Sequence, residues 1–255
     1  MLKVRVIPTL LWKNHGLVKG VGFDSWRRVG TVMPAIKVYN TREVDELILV
    51  DITASSERRE PDYESLSDLS ADCFVPLTVG GGIRGLEHVQ KLLDAGADKV
   101  SINSAAYDNP VLIPDASRRF GSQCIVGSID VVLLPNGEYR CSSMSGTRMH
   151  DINPCEWAAE LERAGAGEIL LTAVQRDGTM EGYDIELIRQ VANSVSIPII
   201  ASGGAGNYDH MIAAVKEGGA SAVAAGSIFH FTQQTPLEAK HAMARTGIPT
   251  RILVK

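Results

Sequence analysis

The amino-acid sequence predicts a (β/α)8 barrel built from two similar half-barrels. Three observations predict it: eight short apolar runs that mostly lack polar alternation, a helix-like stretch after each, and a repeat at an offset of 122 residues. Strands buried on both faces read as near-continuous Val, Ile and Leu. A chain of 255 residues also suits a barrel, which takes about 250. One domain over residues 1–255 is expected, with halves of about 1–122 and 123–255.

In chain order the expected strands are Val4–Leu11, Glu46–Ile52, Val75–Val79, Lys99–Asn103, Cys124–Asp130, Glu168–Val174, Ile197–Ala201 and Ala222–Ala225. Amphipathic segments such as Leu86–Ala95 and Tyr208–Glu217 lie between them. Eight strand–helix units point to a closed barrel. A doubly wound open sheet is the alternative, but the G-x-G-x-x-G turn that usually follows its first strand is not seen.

The repeat is carried by four matched features. Pro76-Leu-Thr-Val-Gly-Gly81-Gly82 answers to Pro198-Ile-Ile-Ala-Ser-Gly203-Gly204. Each is followed by an amphipathic helix and a Gly-Ala turn, Ala95-Gly96-Ala97 and Gly218-Gly219-Ala220. Each then leads into a short strand ending at a serine turn, Asn103-Ser104 and Gly226-Ser227. Glu46-Leu-Ile-Leu likewise matches Glu168-Ile-Leu-Leu.

A hydrophobic share of 45% with 22% charged residues is globular composition. The net charge of −5 and the lack of a long basic run argue against a nucleic-acid partner. Arg27-Arg28, Arg58-Arg59 and Arg118-Arg119 are isolated pairs that read as solvated surface. The segment Met1 to Pro8 is too short and too charged for a signal peptide. No run of 18 apolar residues suggests a membrane span. The cysteines at 73, 124, 141 and 155 form no CxxC pair, so neither a zinc site nor a disulfide framework is indicated, and a reducing cytoplasm is the expected location.

In such barrels ligands sit at the C-terminal ends of the strands. Gly80-Gly81-Gly82 ends the third strand and Ser202-Gly203-Gly204 the seventh, where glycine permits close backbone approach to a ligand. The fourth and eighth strands end at Ser104 and at Gly226-Ser227, before short helical turns whose N–H groups favour anions. Each half thus offers one phosphate cradle, and two cradles imply a substrate phosphorylated at both ends. Tight turns without a ligand are the other reading.

Asp130 ends the fifth strand and is a candidate general acid or base. Asp51 and Asp177 stand at the same rim as binding residues, or as loop and helix caps. Lys19, between glycines, either closes over a phosphate or is a solvated loop lysine. His230 reads as structural. At the opposite rim Arg5, Glu46, Lys99 and Glu168 stand near the starts of strands one, two, four and six. They form either a balanced ring of two cations and two anions or separate surface salt bridges.

Leu-Val-Asp51-Ile-Thr-Ala-Ser55, Thr78-Val-Gly-Gly-Gly-Ile83, Ala97-Asp-Lys-Val-Ser-Ile-Asn103, Gly165-Ala-Gly-Glu-Ile-Leu-Leu-Thr172, Arg176-Asp-Gly-Thr179, Ile200-Ala-Ser-Gly-Gly-Ala-Gly206 and Phe229-His-Phe231 resemble the cyclase subunit of imidazole glycerol phosphate synthase. The resemblance covers essentially the whole chain. The related isomerase of the same pathway shares the half-barrel repeat but fits these strings less well. The resemblance implies a glutaminase subunit docked at the N-terminal rim, with ammonia passing through the barrel past a gate at Arg5, Glu46, Lys99 and Glu168. It implies a doubly phosphorylated ribotide at the other rim, cyclised and cleaved to imidazole glycerol phosphate and aminoimidazole carboxamide ribotide. It implies no metal or organic cofactor. Lys19 matches a lysine of the family, and Asp130 matches one of its two catalytic aspartates.

The other aspartate falls at Leu11, which cannot carry a proton. Gln175 replaces an acidic residue, and Lys13-Asn14-His15-Gly16 replaces a Lys-Asp-Gly string. The Leu-Leu end of the first strand and Gly16-Leu-Val-Lys19 resemble a divergent group found with surface-polysaccharide pathways. There an ammonia-delivering pair supplies nitrogen for an amidino sugar. Three functions are therefore expected in competition: a cyclase-lyase, an ammonia-delivering paralogue with little or no cyclase activity, and an unrelated phosphosugar isomerase. His15 is the nearest candidate to replace the lost carboxylate.

Overall fold

Strands form where the apolar runs lie, and they close on themselves. The computed structural model describes residues 3–252; Met1, Leu2 and 253–255, the ends of the expected 1–255 domain, lie outside the described residues. The strands are β1 (Arg5–Lys13), β2 (Gly16–Val21), β3 (Asp24–Gly30), β4 (Leu47–Asp51), β5 (Leu77–Gly80), β6 (Lys99–Ile102), β7 (Ile125–Leu133), β8 (Tyr139–Ser143), β9 (Arg148–Met149), β10 (Glu168–Ala173), β11 (Ile199–Ser202) and β12 (Ala222–Ala225). Eight of them pair in parallel around a full circle, β1–β4–β5–β6–β7–β10–β11–β12 and back to β1. These are the eight expected strands, with bounds displaced by at most three residues.

The helices are α1 (Val32–Thr41), α2 (Tyr63–Ala71), α3 (Leu86–Asp94), α4 (Ser104–Asp108), α5 (Leu112–Phe120), α6 (Pro154–Arg163), α7 (Ile185–Ala192), α8 (Tyr208–Lys216), α9 (Ser227–Phe231) and α10 (Pro236–Arg245). Among the described residues none is long and apolar enough to cross a membrane. The main core lies between the strands and the helices, with residues such as Val6, Leu10, Ile36, Leu49 and Val100. A second core fills the barrel itself, from Ile7, Ile48, Val126, Leu170, Ile200, Ala222 and Ala224.

Two antiparallel hairpins are additions that the strand pattern did not reveal. β2 and β3 follow β1, and β8 and β9 follow β7. They leave the first and fifth barrel strands, so they too obey the half-barrel symmetry. Lys19 consequently stands on β2, buried at 3% exposure, and is not a solvated loop lysine.

The repeat extends to helix capping. Asp62 accepts the Ser65 N–H at 3.1 Å to start α2, and Asp184 accepts the Leu187 N–H at 3.0 Å to start α7. Both pairs are separated by the same 122 residues as the glycine loops. Such caps satisfy helix N–H groups that lack a partner.

At the N-terminal face α10 is anchored by Lys240, which is fully buried. Its ammonium donates to the Glu43 carbonyl and lies 3.3 Å from Asp45 Oδ1, while Asp45 Oδ2 accepts the Val6 N–H at 3.0 Å. Breaking a buried ion pair leaves a desolvated charge without its partner. Lys240→Ala is therefore expected to cost about 3 kcal/mol of stability. Urea unfolding checks this, and an unchanged midpoint would contradict the anchoring role.

Candidate functional site

The cavity opens at the C-terminal ends of the barrel strands and encloses about 1180 Å³, mouth included. Its floor follows from the two-residue period of a strand, which sends alternate side chains inward. Thr9 and Leu11 of β1, Ser128 and Asp130 of β7, and Leu170 and Thr172 of β10 all line it.

The two glycine loops face each other across this cavity. Gly81 and Gly82 have φ of +103° and +74°, and Gly203 and Gly204 have +90° and +109°. A Cβ at Gly81 would lie 2.2 Å from the Asp51 carbonyl oxygen, and one at Gly204 would lie 2.1 Å from that of Gly182. Only glycine fits at these two points. Ser104 and Ser227 line the cavity beside the loops. Ser104 Oγ accepts the Met144 N–H at 3.0 Å, whereas Ser227 Oγ has no partner.

Lys19 reaches the second loop pair. Its Nζ lies 3.9 Å from Asp177 Oδ1, beyond hydrogen-bond length. A Cβ on Gly226 would sit 2.6 Å from the same nitrogen. A buried ammonium, an orphan hydroxyl and a backbone stripped of side chains thus converge at Gly226–Ser227. Three more buried polar atoms that line the cavity lack partners: Thr9 Oγ1, Asn103 Oδ1 and Asp177 Oδ2. Buried polar groups are usually satisfied, so this cluster is chemically suited to a polar ligand that brings an anionic group to Lys19 and Ser227 and hydrogen-bond donors to Asn103 Oδ1 and Asp177 Oδ2.

Asp130 carries the most perturbed carboxyl. Burial pushes it from the usual 3.8 up to about 7, the nearby Asp177 carboxylate adds to the rise, and a hydrogen bond from Asn103 Nδ2 opposes it. That bond is 2.8 Å long. A carboxyl that titrates near neutrality can both take and give a proton at physiological pH. Asp51, by contrast, is engaged in its own loop. Its oxygens hold the Arg59 guanidinium at 3.1–3.3 Å, and Oδ1 accepts the N–H groups of Thr53 and Ala54 at 3.0 Å.

Leu11 lines the cavity floor on β1, diametrically opposite β7 in the barrel. His15 does not compensate. It occupies the β1–β2 turn with φ +58° and an 81% exposed side chain, outside the cavity lining. Gln175 also turns away, clasping the end of β7 by accepting the Leu133 N–H at 3.1 Å and donating to its carbonyl at 2.9 Å. Burial and then the Lys19 charge push the His230 imidazole down to about 4. It therefore stays neutral, edge-on to Tyr39, outside the cavity lining.

At the other end of the barrel the four expected charges meet as one ring rather than as separate surface pairs. Arg5 bridges Glu46 at 2.7 Å and Glu168 at 2.8 Å, and Lys99 bridges the same two carboxylates at 3.0 and 3.1 Å. Thr78 Oγ1 adds a 2.7 Å bond to Glu46. Burial opposes the Arg5 charge, but Glu168 and Glu46 more than offset it and hold its pKa above the ordinary value.

Sequence reasoning missed Thr9 and Asn103 as ligand-facing residues, and Phe23 and Trp26, which the first hairpin brings over the cavity. Asn103 had a signal, as the residue before Ser104 at a strand end. The aromatic pair had none without the hairpin. The two hairpin tips meet above the site, where a Cβ on Gly146 would touch the Phe23 ring at 3.3 Å. A sequence model of the family described as histidine biosynthesis protein matches residues 5–235.

The raised Asp130 pKa predicts the sign of a stability effect. The folded state holds this proton more tightly than the unfolded chain, so the carboxyl costs stability increasingly as pH rises from about 4 to about 7. Asp130→Asn removes that cost. Its gain in melting temperature over the parent chain should be larger at pH 8 than at pH 5; equal gains, or the reverse order, would contradict the burial of this carboxyl.

Proposed function

The chain belongs to the histidine biosynthesis protein family, and on that premise we propose that it is the ammonia-using cyclase-lyase type of barrel. Its ligand on this reading is a ribotide phosphorylated at both ends. The observation that carries the reading is the pair of symmetry-related glycine loops, one of them completed by the buried Lys19 and the unpartnered Ser227 hydroxyl. Gly81, Gly82 and Ser104 receive one phosphate; Gly203, Gly204, Gly226, Ser227 and Lys19 receive the other. Asp177 Oδ2 accepts a hydrogen bond from a donor on the bound ribotide.

Ammonia comes from a glutaminase subunit seated on the N-terminal face. The ring of Arg5, Glu46, Lys99 and Glu168 closes that end with paired charges. Beyond it stand Ile7, Ile48, Val126, Ile200 and Ala222, all at 0% exposure. Neutral ammonia crosses such an apolar layer at low cost, while ammonium would lose its hydration there. At the cavity Asp130 moves the protons of addition, ring closure and cleavage.

A second reading is supported by one residue. Leu11 puts an isobutyl group where a proton-transferring side chain would complete a pair with Asp130. One general acid–base group contributes about 10²–10⁴-fold to rate. On this reading cyclisation is weak or absent, and the barrel delivers ammonia to another acceptor, such as an amidino-sugar synthesis in surface-polysaccharide assembly.

Turnover of the ribotide with ammonium by the purified chain separates the two. Robust formation of both products supports the cyclase; undetectable turnover, with a glutaminase partner still stimulated, supports delivery. In the cyclase case Asp130→Asn should lower kcat at least about 10²-fold, and unchanged kcat would show that the acid lies elsewhere. Leu11→Asp should raise kcat by about 10²-fold if the site is otherwise complete; no gain would place the deficit in other residues.

A further inference from the structure

Each glycine loop is held from behind by a histidine. The Arg84 N–H donates to His88 Nδ1 at 3.0 Å, and the Gly206 N–H donates to His210 Nδ1 at 3.2 Å. The two bonds are separated by 122 residues, the offset of the loops themselves. Each donor comes two residues after the second loop glycine, Gly82 or Gly204. Ile83 and Ala205, which bridge glycine and donor, line the cavity.

Both donors precede their helices, which start at Leu86 and Tyr208, so no helical carbonyl can reach them. An imidazole accepts at Nδ1 only when it is neutral with its proton on Nε2. At His88 that proton faces Glu87 at 3.7 Å and Glu60 at 3.8 Å. At His210 the surroundings are less accommodating. Asn207 Oδ1 is fixed by the His210 N–H at 2.9 Å, which leaves Asn207 Nδ2, another donor, 3.2 Å from Nε2.

We propose that His88 and His210 are paired positioning residues, each setting the shape of one anion-binding loop through a neutral Nδ1 acceptor. The proposal rests on reading the loops as phosphate sites. Gly82 and Gly204 sit in left-handed conformations that glycine alone does not enforce. The N–H···Nδ1 bond closes a ring over each turn and restricts it. With the acceptor removed, the donor is left without a partner and the turn relaxes. Each histidine then controls its own loop and not the other.

Titration of the 15N-labelled chain with inorganic phosphate, followed at the Gly82 and Gly204 amides, tests this. His88→Leu should weaken phosphate at the Gly82 loop about tenfold and leave the Gly204 loop unchanged. His210→Leu should do the reverse. His88→Asn and His210→Asn, which return an acceptor to the Nδ1 position, should restore affinity. If a Leu variant does not fold, the corresponding Gln variant, whose acceptor lies one bond too far, should show the same loss. Unchanged affinity, or equal weakening at both loops by either variant, would overturn the positioning role alone. Absence of phosphate binding at both loops of the parent chain would overturn the phosphate reading and the proposal with it.

Discussion

Everything in the site depends on the alternation of side chains along a closed ring of parallel strands. One strand carries the scheme: Arg5 at the N-terminal ring, Ile7 in the apolar layer, then Thr9 and Leu11 at the cavity. Glu168, Leu170 and Thr172 repeat it on β10, while β6 sends Lys99 to the ring and Ser101 to the cavity, with Asn103 just past its end. A slip of one residue would turn every one of these groups outward. Burial of the helix-facing set, such as Val6, Leu10 and Val100, is what holds the register. The same packing that stabilises the barrel therefore places charge, apolar layer and site along one axis.

Low dielectric surroundings give that axis its chemistry. The ring is tolerable because two cations and two anions neutralise one another at 2.7–3.1 Å. At the other end neutralisation is incomplete. Asp130 and Asp177 repel one another, and Lys19 stands short of a hydrogen bond to Asp177. A barrel that leaves four buried side-chain polar atoms, on Thr9, Asn103, Asp177 and Ser227, without partners around one cavity has the signature of a site awaiting a polar ligand. Leu11 is the discordant member, an apolar side chain opposite the buried Asp130 carboxyl, and it is the point on which the two proposed readings, full cyclisation and ammonia delivery, divide.

Much of this was legible in the residues. The eight barrel strands announced themselves through unbroken Val, Ile and Leu, because burial on both faces removes polar alternation. The glycine loops and the Glu46 and Glu168 pair were legible through the internal repeat, since a feature found twice at one offset needs a common cause, whereas Arg5 and Lys99 were legible as charges near strand starts. The hairpins were not. Asn14 and His15 make the β1–β2 turn with φ of +47° and +58°, without the glycine that usually marks such a turn. β3 alternates among exposed polar residues and lacks an apolar face. Asn136-Gly137 before β8 was a genuine hairpin signal, hidden by the polar, small-residue strand that follows it. Long-range partners, such as Asn103 on Asp130 or the histidines behind each loop, emerge only when strands and helices are brought together in space.

The central claim is that one ligand spans both glycine loops through a phosphate at each end. Calorimetric titration of the purified chain with the doubly phosphorylated ribotide, set against the ribotide lacking either phosphate, tests it most directly. The account predicts one ligand per chain, with each missing phosphate weakening binding more than tenfold. Equal affinity for the doubly and singly phosphorylated forms would contradict it.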